Sequence, residues 1–226
     1  MADGWPRYVL YVITDPCLSR GRSHMEIARA ALEGGADAVQ IRAKSSPAYN
    51  LGLVTAEIQP LARKFGAALL VNDRVDVALL AGADGAHVGQ DDLPAREARR
   101  LLPRPRLIGV SAGSREEALR AERDGADYVG VGPVFATATK PDAGEPLGLE
   151  RLAEIAGAVT IPVVAIGGIT LDNVARVFEA GAGGAAVVSA VVSAEDIAAA
   201  ARALKRRIAE VRGSATVAGS QPREIR

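Results

Sequence analysis

The residues able to do chemistry fall in a few short polar clusters. Gln40, Arg42 and Lys44 alternate with Ile41 and Ala43. In an extended segment, residues two apart point the same way, so these three share a face. Two cations aimed in one direction are costly unless an anion meets them. Carboxylates are supplied by Asn72-Asp73-Arg74 and by Gln90-Asp91-Asp92. Two carboxylates beside two cations suit a hard divalent ion such as Mg2+, which is held by one or two carboxylates together with substrate phosphate oxygens. Ser111, Thr137, Thr139 and Lys140 add hydroxyls and another cation, while Gly167-Gly168 and Ser189 offer backbone N–H groups to a phosphate.

Each cluster also has a plainer reading. Arg42 and Lys44 could bridge to Asp73 and Asp92 in a purely structural network. Asn72 or Asp73 could cap the helix that follows. Asp91 and Asp92 could be turn residues before Pro94, and spacing does not choose between them as ligands. Gly167-Gly168 could be an ordinary tight turn. His87 is expected to pack as a half-buried strand residue, and Cys17 to be an inert loop thiol.

The elements that must position these groups are legible as eight short apolar runs: Tyr8–Thr14, Ala38–Arg42, Ala67–Val71, Gly85–Val88, Arg106–Val110, Tyr128–Val131, Pro162–Ile166 and Ala185–Val188. Most are continuous rather than alternating, as expected of parallel strands covered on both faces. Helical periodicity fills the intervals at Met25–Glu33, Ala48–Lys64, Val75–Ala81, Arg115–Arg123, Leu171–Ala180 and Ala194–Val211. Ser114 with Glu117 forms a capping box, and Thr170 is expected to cap the helix after it. Gly-Ala-Asp recurs at 35–37, 82–84 and 125–127, and returns as Gly-Ala-Gly at 181–183, each time closing a helix ahead of an even-numbered strand. This order predicts an α/β protein, a single (β/α)8 TIM barrel, with an open doubly wound sheet as the alternative. In such a barrel the loops after the strands carry the chemistry, and all the polar clusters fall there.

Composition narrows the function further. The 226 residues carry 27 Lys+Arg against 27 Asp+Glu, a formal net charge of zero, which gives no reason to expect a nucleic-acid partner. A single cysteine rules out an internal disulfide and fits a reducing, cytoplasmic setting. Two histidines are too few for a His-rich catalytic zinc site. The longest uncharged stretch, Ile155–Leu171, is broken by Gly157, Pro162, Gly167 and Gly168 and falls short of the ~20 apolar residues of a membrane span. Asp3 ahead of the first apolar run argues against a signal peptide. One barrel domain is expected over residues 1–212, followed by a disordered tail over 213–226. The sequence leaves a homo-oligomer open.

Taken together, QIRAK (40–44), VNDR (71–74), HVGQDD (87–92), GVSAG (109–113), GVGPVFATATK (130–140), AIGGIT (165–170) and VVSA (187–190) resemble the thiamine phosphate synthase family, in the right order from roughly Tyr8 to Val211. The resemblance implies a barrel enzyme that joins a hydroxymethylpyrimidine diphosphate to a thiazole phosphate and releases diphosphate. It implies that Gln40, Arg42, Lys44, Asn72, Ser111 and Lys140 hold the pyrimidine diphosphate. Asp73 and Asp92 would hold Mg2+, and Thr137, Thr139, Gly168, Val188 and Ser189 would hold the thiazole phosphate. Arg42, Lys44, Ser111 and Lys140 would be the catalytic groups, with small molecules as the only partners. The PDAGEP segment at 141–146 and the tail depart from the family pattern. A thiazole tautomerase on the same scaffold and a non-catalytic thiamine phosphate sensor are the competing readings.

Overall fold

The computed structural model describes residues 9–44, 46–139 and 144–218. Its eight strands are β1 (Leu10–Thr14), β2 (Ala38–Ile41), β3 (Ala68–Asn72), β4 (Gly85–Val88), β5 (Leu107–Ala112), β6 (Tyr128–Val131), β7 (Val163–Ile166) and β8 (Gly184–Val187). Each pairs in parallel with the next, and β8 pairs with β1, so the sheet closes. The closed barrel settles the choice against an open sheet. Alternation within each strand divides the core into two clusters. Leu10, Val12, Val39, Ile41, Leu69 and Val71 pack outward against the helices. Tyr11, Ile13, Ala38, Leu70, Tyr128 and Val164 fill the interior. Gln40 has the parity of Ala38 and therefore points inward.

The helices are α1 (His24–Glu33), α2 (Ala48–Lys64), α3 (Val75–Leu80), α4 (Ala95–Leu101), α5 (Arg115–Arg123), α6 (Gly148–Ala158), α7 (Val174–Glu179), α8 (Ser189–Val192) and α9 (Ile197–Ala218). Sequence periodicity reveals six of them. It misses α4, which buries only Ala95 and Ala98 among charged neighbours; α6, which buries only Leu152 and Ile155; and α8, a single turn. Ser114 caps α5 as expected, its Oγ accepting from the Glu117 N–H at 3.2 Å, but the Glu117 carboxylate takes the Gly113 N–H instead of closing the box. The Thr170 cap is corrected. α7 begins only at Val174, and Asn173 organises the turn before it: its Oδ1 accepts from the Thr170 N–H and its Nδ2 donates to the Gly168 carbonyl. α9 crosses the boundary expected at Gly213 and runs to Ala218; residues 219–226 lie outside the described residues.

The Gly-Ala-Asp repeat closes the bottom of the barrel in quarters. Asp37 gives its N–H to the Leu10 carbonyl and takes the Leu10 N–H on its carboxylate; Asp84 does the same to Leu69, and Asp127 to Ile108. In the fourth quarter Gly183 keeps only the backbone half, its N–H bonding to the Val163 carbonyl. The glycine two residues earlier lies at positive φ each time, which lets the chain leave the helix without a Cβ clash. Asp127 also pairs with Arg99 and Arg104, so Asp127→Ala strands the Ile108 N–H and removes two ion pairs at once, although Arg99 keeps its bonds to the Gly125, Leu102 and Arg106 carbonyls. It is expected to cost about 2–3 kcal/mol. At 2–4 °C per kcal/mol for a domain of this size, calorimetry should show Tm falling by roughly 4–12 °C.

Candidate active site

The open end of the barrel holds a cavity of about 440 Å³. Every described candidate residue lines it: Gln40, Arg42, Lys44, Asn72, Asp73, Asp92, Ser111, Thr137, Thr139, Gly168, Val188 and Ser189. Lys140 lies outside the described residues. The gathering follows from the topology, because these residues end seven different strands or begin the loops after them and all strands point the same way.

β2 runs straight into the Gln40, Arg42 and Lys44 set. The Arg42 N–H reaches Thr14 Oγ1 at 3.4 Å, and its guanidinium lies 3.6 Å from Asp15. Asp15 is itself fixed, because its other oxygen caps the short 3-10 turn Pro16–Leu18 through the Cys17 N–H. Arg42 therefore leans on a carboxylate of β1's end that sequence reasoning passed over. Cys17 is exposed, as a loop thiol.

Asp73 does not cap α3; that position is Arg74, which makes no side-chain cap. Asp73 instead sits at φ +62°, a left-handed conformation unusual for a residue other than glycine, with its N–H bonded to the His87 carbonyl at 2.8 Å. This turn brings its carboxyl against Asp92, which takes the Gly89 N–H at 2.7 Å. Asp92, not Asp91, is the member of the 91–92 pair that meets Asp73, although Asp91 also lines the cavity. Burial first, then hydrogen bonding and charge repulsion from Asp92, push the Asp73 carboxyl up to about 6, while Lys44 and Arg42 pull it down. Two carboxyls pressed together in this way fit a divalent cation, which would relieve their repulsion. Among the described residues no group of three or more His, Cys, Asp or Glu side chains could hold a metal alone. A cation here would need oxygens from a ligand or water to complete its shell.

In the folded state the Asp73 carboxyl titrates above its ordinary 3.8. Its ionisation therefore opposes folding fully above pH ~6, progressively less as pH falls, and not at all below the unfolded value. Stability without metal should gain from this group as pH drops from 7 toward 4. Divalent-cation affinity should do the opposite, flat above pH ~6 and weakening toward tenfold per unit below it, as titration calorimetry at stepped pH would show.

Across the mouth, the β6–α6 loop is tied to the end of β7. The Val134 N–H bonds to the Ile166 carbonyl at 2.8 Å and the Phe135 N–H to the Gly167 carbonyl at 3.0 Å. Gly167 and Gly168 both have positive φ, and a Cβ on either would lie 2.5 Å from this loop. The pair thus seats one loop against another, a role that spacing alone did not show. Thr139 donates to Ser189 Oγ at 3.2 Å, joining the β6–α6 loop to the start of α8.

Sequence reasoning missed the floor of the cavity. Tyr11, His87 and Tyr128 all line it. His87 is more than a strand filler: its Nδ1 meets the Tyr128 hydroxyl and its Nε2 meets Ser111 Oγ, both at 3.0 Å. Burial lowers its imidazole to about 4, against an opposing pull from Asp92, so the ring is neutral at pH 7. Burial likewise raises both tyrosine hydroxyls. The available signal was two tyrosines and a histidine with inward parity in otherwise aliphatic or small-residue strands.

A closed barrel with cations, paired carboxyls and loop hydroxyls round one mouth defines a (β/α)8-barrel enzyme acting on phosphorylated small molecules. The chain belongs to the thiamine monophosphate synthase family, whose family model matches residues 10–191. It is 52% identical over 208 residues to the thiamine-phosphate synthase of Moorella thermoacetica, covering 92% of this chain and 99% of that one. It is 57% identical over 196 residues to the thiamine-phosphate synthase of Chloroflexus aurantiacus, covering 87% and 90%. The solved thiamine phosphate pyrophosphorylase of Pyrococcus furiosus superposes with a TM-score of 0.85 at 45% identity, over 91% of this chain and 98% of that one. No helix among the described residues is long and apolar enough to cross a membrane.

Proposed function

We propose that this chain couples 4-amino-2-methyl-5-hydroxymethylpyrimidine diphosphate to a thiazole phosphate, releasing diphosphate and forming thiamine phosphate. The observation that carries the reading is the convergence of the Arg42 and Lys44 cations and the Asp73–Asp92 pair on one cavity that also contains Ser111, Thr139 and Ser189. Gln40, Asn72 and Ser111 would hold the pyrimidine end, and Arg42, Lys44 and Lys140 its diphosphate. Thr137, Thr139, Gly168, Val188 and Ser189 would hold the thiazole phosphate. Asp73 and Asp92 would hold Mg2+, which when bound supplies positive charge against the leaving diphosphate.

The side chains suit a dissociative displacement. Arg42 and Lys44 would take up negative charge as the carbon–oxygen bond to diphosphate lengthens. The pyrimidine-stabilised carbocation is then captured by the thiazole nitrogen, so no protein nucleophile is required. The thiazole-side hydroxyls hold that nitrogen in line, an orientation effect worth several kcal/mol. Cytoplasmic location, small-molecule substrates and a possible homo-oligomer complete the reading.

The test is diphosphate release by the purified full chain with both substrates and Mg2+, against controls lacking either substrate. Coupled product is the expected result. Thiazole phosphate isomerisation without coupling, or tight thiamine phosphate binding without turnover, would replace the reading with a tautomerase or a sensor. Arg42→Gln should lower kcat/KM about 10²-fold and raise the inhibition constant of inorganic pyrophosphate.

A further inference from the structure

Beneath the mouth, five polar side chains form one unbroken hydrogen-bonded chain across the inside of the barrel. Gln40 Nε2 donates to the Tyr11 hydroxyl at 2.8 Å, and that hydroxyl meets the Tyr128 hydroxyl at 3.1 Å. Tyr128 meets His87 Nδ1, and His87 Nε2 meets Ser111 Oγ, each at 3.0 Å. We propose that Tyr11, Tyr128 and His87 are positioning residues that couple the orientation of the Gln40 amide to the direction of the Ser111 hydroxyl, so that the cavity presents opposite hydrogen-bonding roles at its two ends to an aminopyrimidine. The proposal rests on the pyrimidine diphosphate reading above for its ligand, and on the chain itself for its mechanism.

The coupling follows from counting protons. An amide nitrogen only donates, so the Tyr11 oxygen accepts from Gln40 and its single proton goes to Tyr128. Tyr128 in turn gives its proton to His87 Nδ1. A neutral imidazole carries one N–H, here on Nε2, and donates it to Ser111. The Ser111 proton is then directed away from the ring, toward a ligand. At the other end the amide turns its nitrogen, with one of its two N–H groups, to Tyr11, which leaves Oε1 facing the other way as the group a ligand meets. Turning the Gln40 amide over reverses every bond in the chain and leaves Ser111 offering a lone pair. Acceptor and donor therefore exchange ends together. With Arg42 and Lys44 following on the same face, their charge favours the amide oxygen on the mouth side. An aminopyrimidine carries both a donor amino group and acceptor ring nitrogens, the complement of that pair.

The neighbouring strands give up side chains to admit the chain. A Cβ at Gly109 would lie 2.1 Å from the Tyr128 ring, and one at Gly130 would lie 2.9 Å from His87 Cε1. The Tyr11 and Tyr128 rings meet edge to face at 6.2 Å between centroids. Phenylalanine would fill the same space without burying hydroxyls, so the ordered protons are what these residues add.

Histidine NMR on the free full-length protein tests the chain directly, because the sequence has only two histidines. His24→Gln assigns the signals in 15N-histidine-labelled protein. His87 is expected as the Nε2–H tautomer. Gln40→Glu places a group that only accepts at the head of the chain, and should switch the ring to Nδ1–H. In a Tyr128→Phe background the same substitution should leave the tautomer where Tyr128→Phe alone puts it; Tyr11→Phe serves identically if Tyr128→Phe does not fold. No switch on Gln40→Glu, or a switch that survives Tyr128→Phe, overturns the coupling. In turnover, Tyr128→Phe should raise KM for the pyrimidine diphosphate about tenfold. KM for the thiazole phosphate should stay put and kcat should change little. Parallel change in both KM values marks a general structural defect and overturns the positioning role. A wild-type protein that does not couple the two substrates defeats the functional reading instead, while the tautomer experiment still decides the chain.

Discussion

Asp92→Asn is expected to lower turnover about 10²-fold or more, the scale of losing one fixed electrostatic group at a site of developing charge. The substitution is close to isosteric, and an asparagine oxygen can still accept the Gly89 N–H that Asp92 accepts at 2.7 Å, so the β4 turn should survive. What disappears is one negative charge beside Asp73. Two further results separate this cause from a folding defect. Mg2+ affinity should fall in step with activity, because one of two carboxylates is gone. Stability without metal should rise at pH 8, because the repulsion that helps push Asp73 up to about 6 is relieved. Burial remains the larger influence on Asp73, so its carboxyl should still titrate above the ordinary value. Normal diphosphate release by Asp92→Asn in EDTA would remove the metal assignment from this mouth.

That prediction joins what sequence offers to what only coordinates supply. The barrel, its parallel order and its working face follow from continuous apolar runs and from polar residues confined to the loops after them. The choice of Asp92 over Asp91 could not follow from spacing. It depends on the left-handed turn at Asp73, which swings that carboxyl toward one neighbour rather than the other. Glycines were half legible for a related reason. Gly167-Gly168 suggested an anion cradle, and only the structure adds that both residues have Cβ positions blocked by the adjoining β6–α6 loop. The His87–Tyr128–Tyr11 chain left only the inward parity of its members as a signal, because each is an unremarkable strand residue alone. Their meeting requires closure of the barrel, which sets β1 beside β2 and β8 and brings Tyr11 across the interior to β6. Short-range pattern reports which way a side chain points, while closure decides what it finds there.

Gly132→Ala carries the second large effect, on stability first and on one substrate second. A Cβ at Gly132 would lie 2.1 Å from the backbone oxygen of Ile166. That oxygen already accepts the Val134 N–H at 2.8 Å, so it cannot move aside without breaking the bond that fixes the loop. Overpacking against backbone belongs at the upper end of the usual range, about 3 kcal/mol or more. Tm should therefore drop by at least about 6 °C in calorimetry. Gly52→Ala is the contrasting case: Gly52 lies inside α2 with nothing within 4 Å of a new Cβ, and should gain roughly 0.5–1 kcal/mol from helix propensity. If Gly132→Ala folds, damage should be selective. The displaced loop carries Thr137 and Thr139, and Thr139 is the residue that reaches Ser189. KM for the thiazole phosphate should rise by more than the inhibition constant of inorganic pyrophosphate, because Arg42 and Lys44 stay in place while only Lys140 follows Thr139 in the displaced loop. Equal loss at both ends would mean that the loop and the cationic side of the mouth move as one body, and an unchanged Tm would mean that the β6–β7 junction yields more readily than its backbone contacts allow.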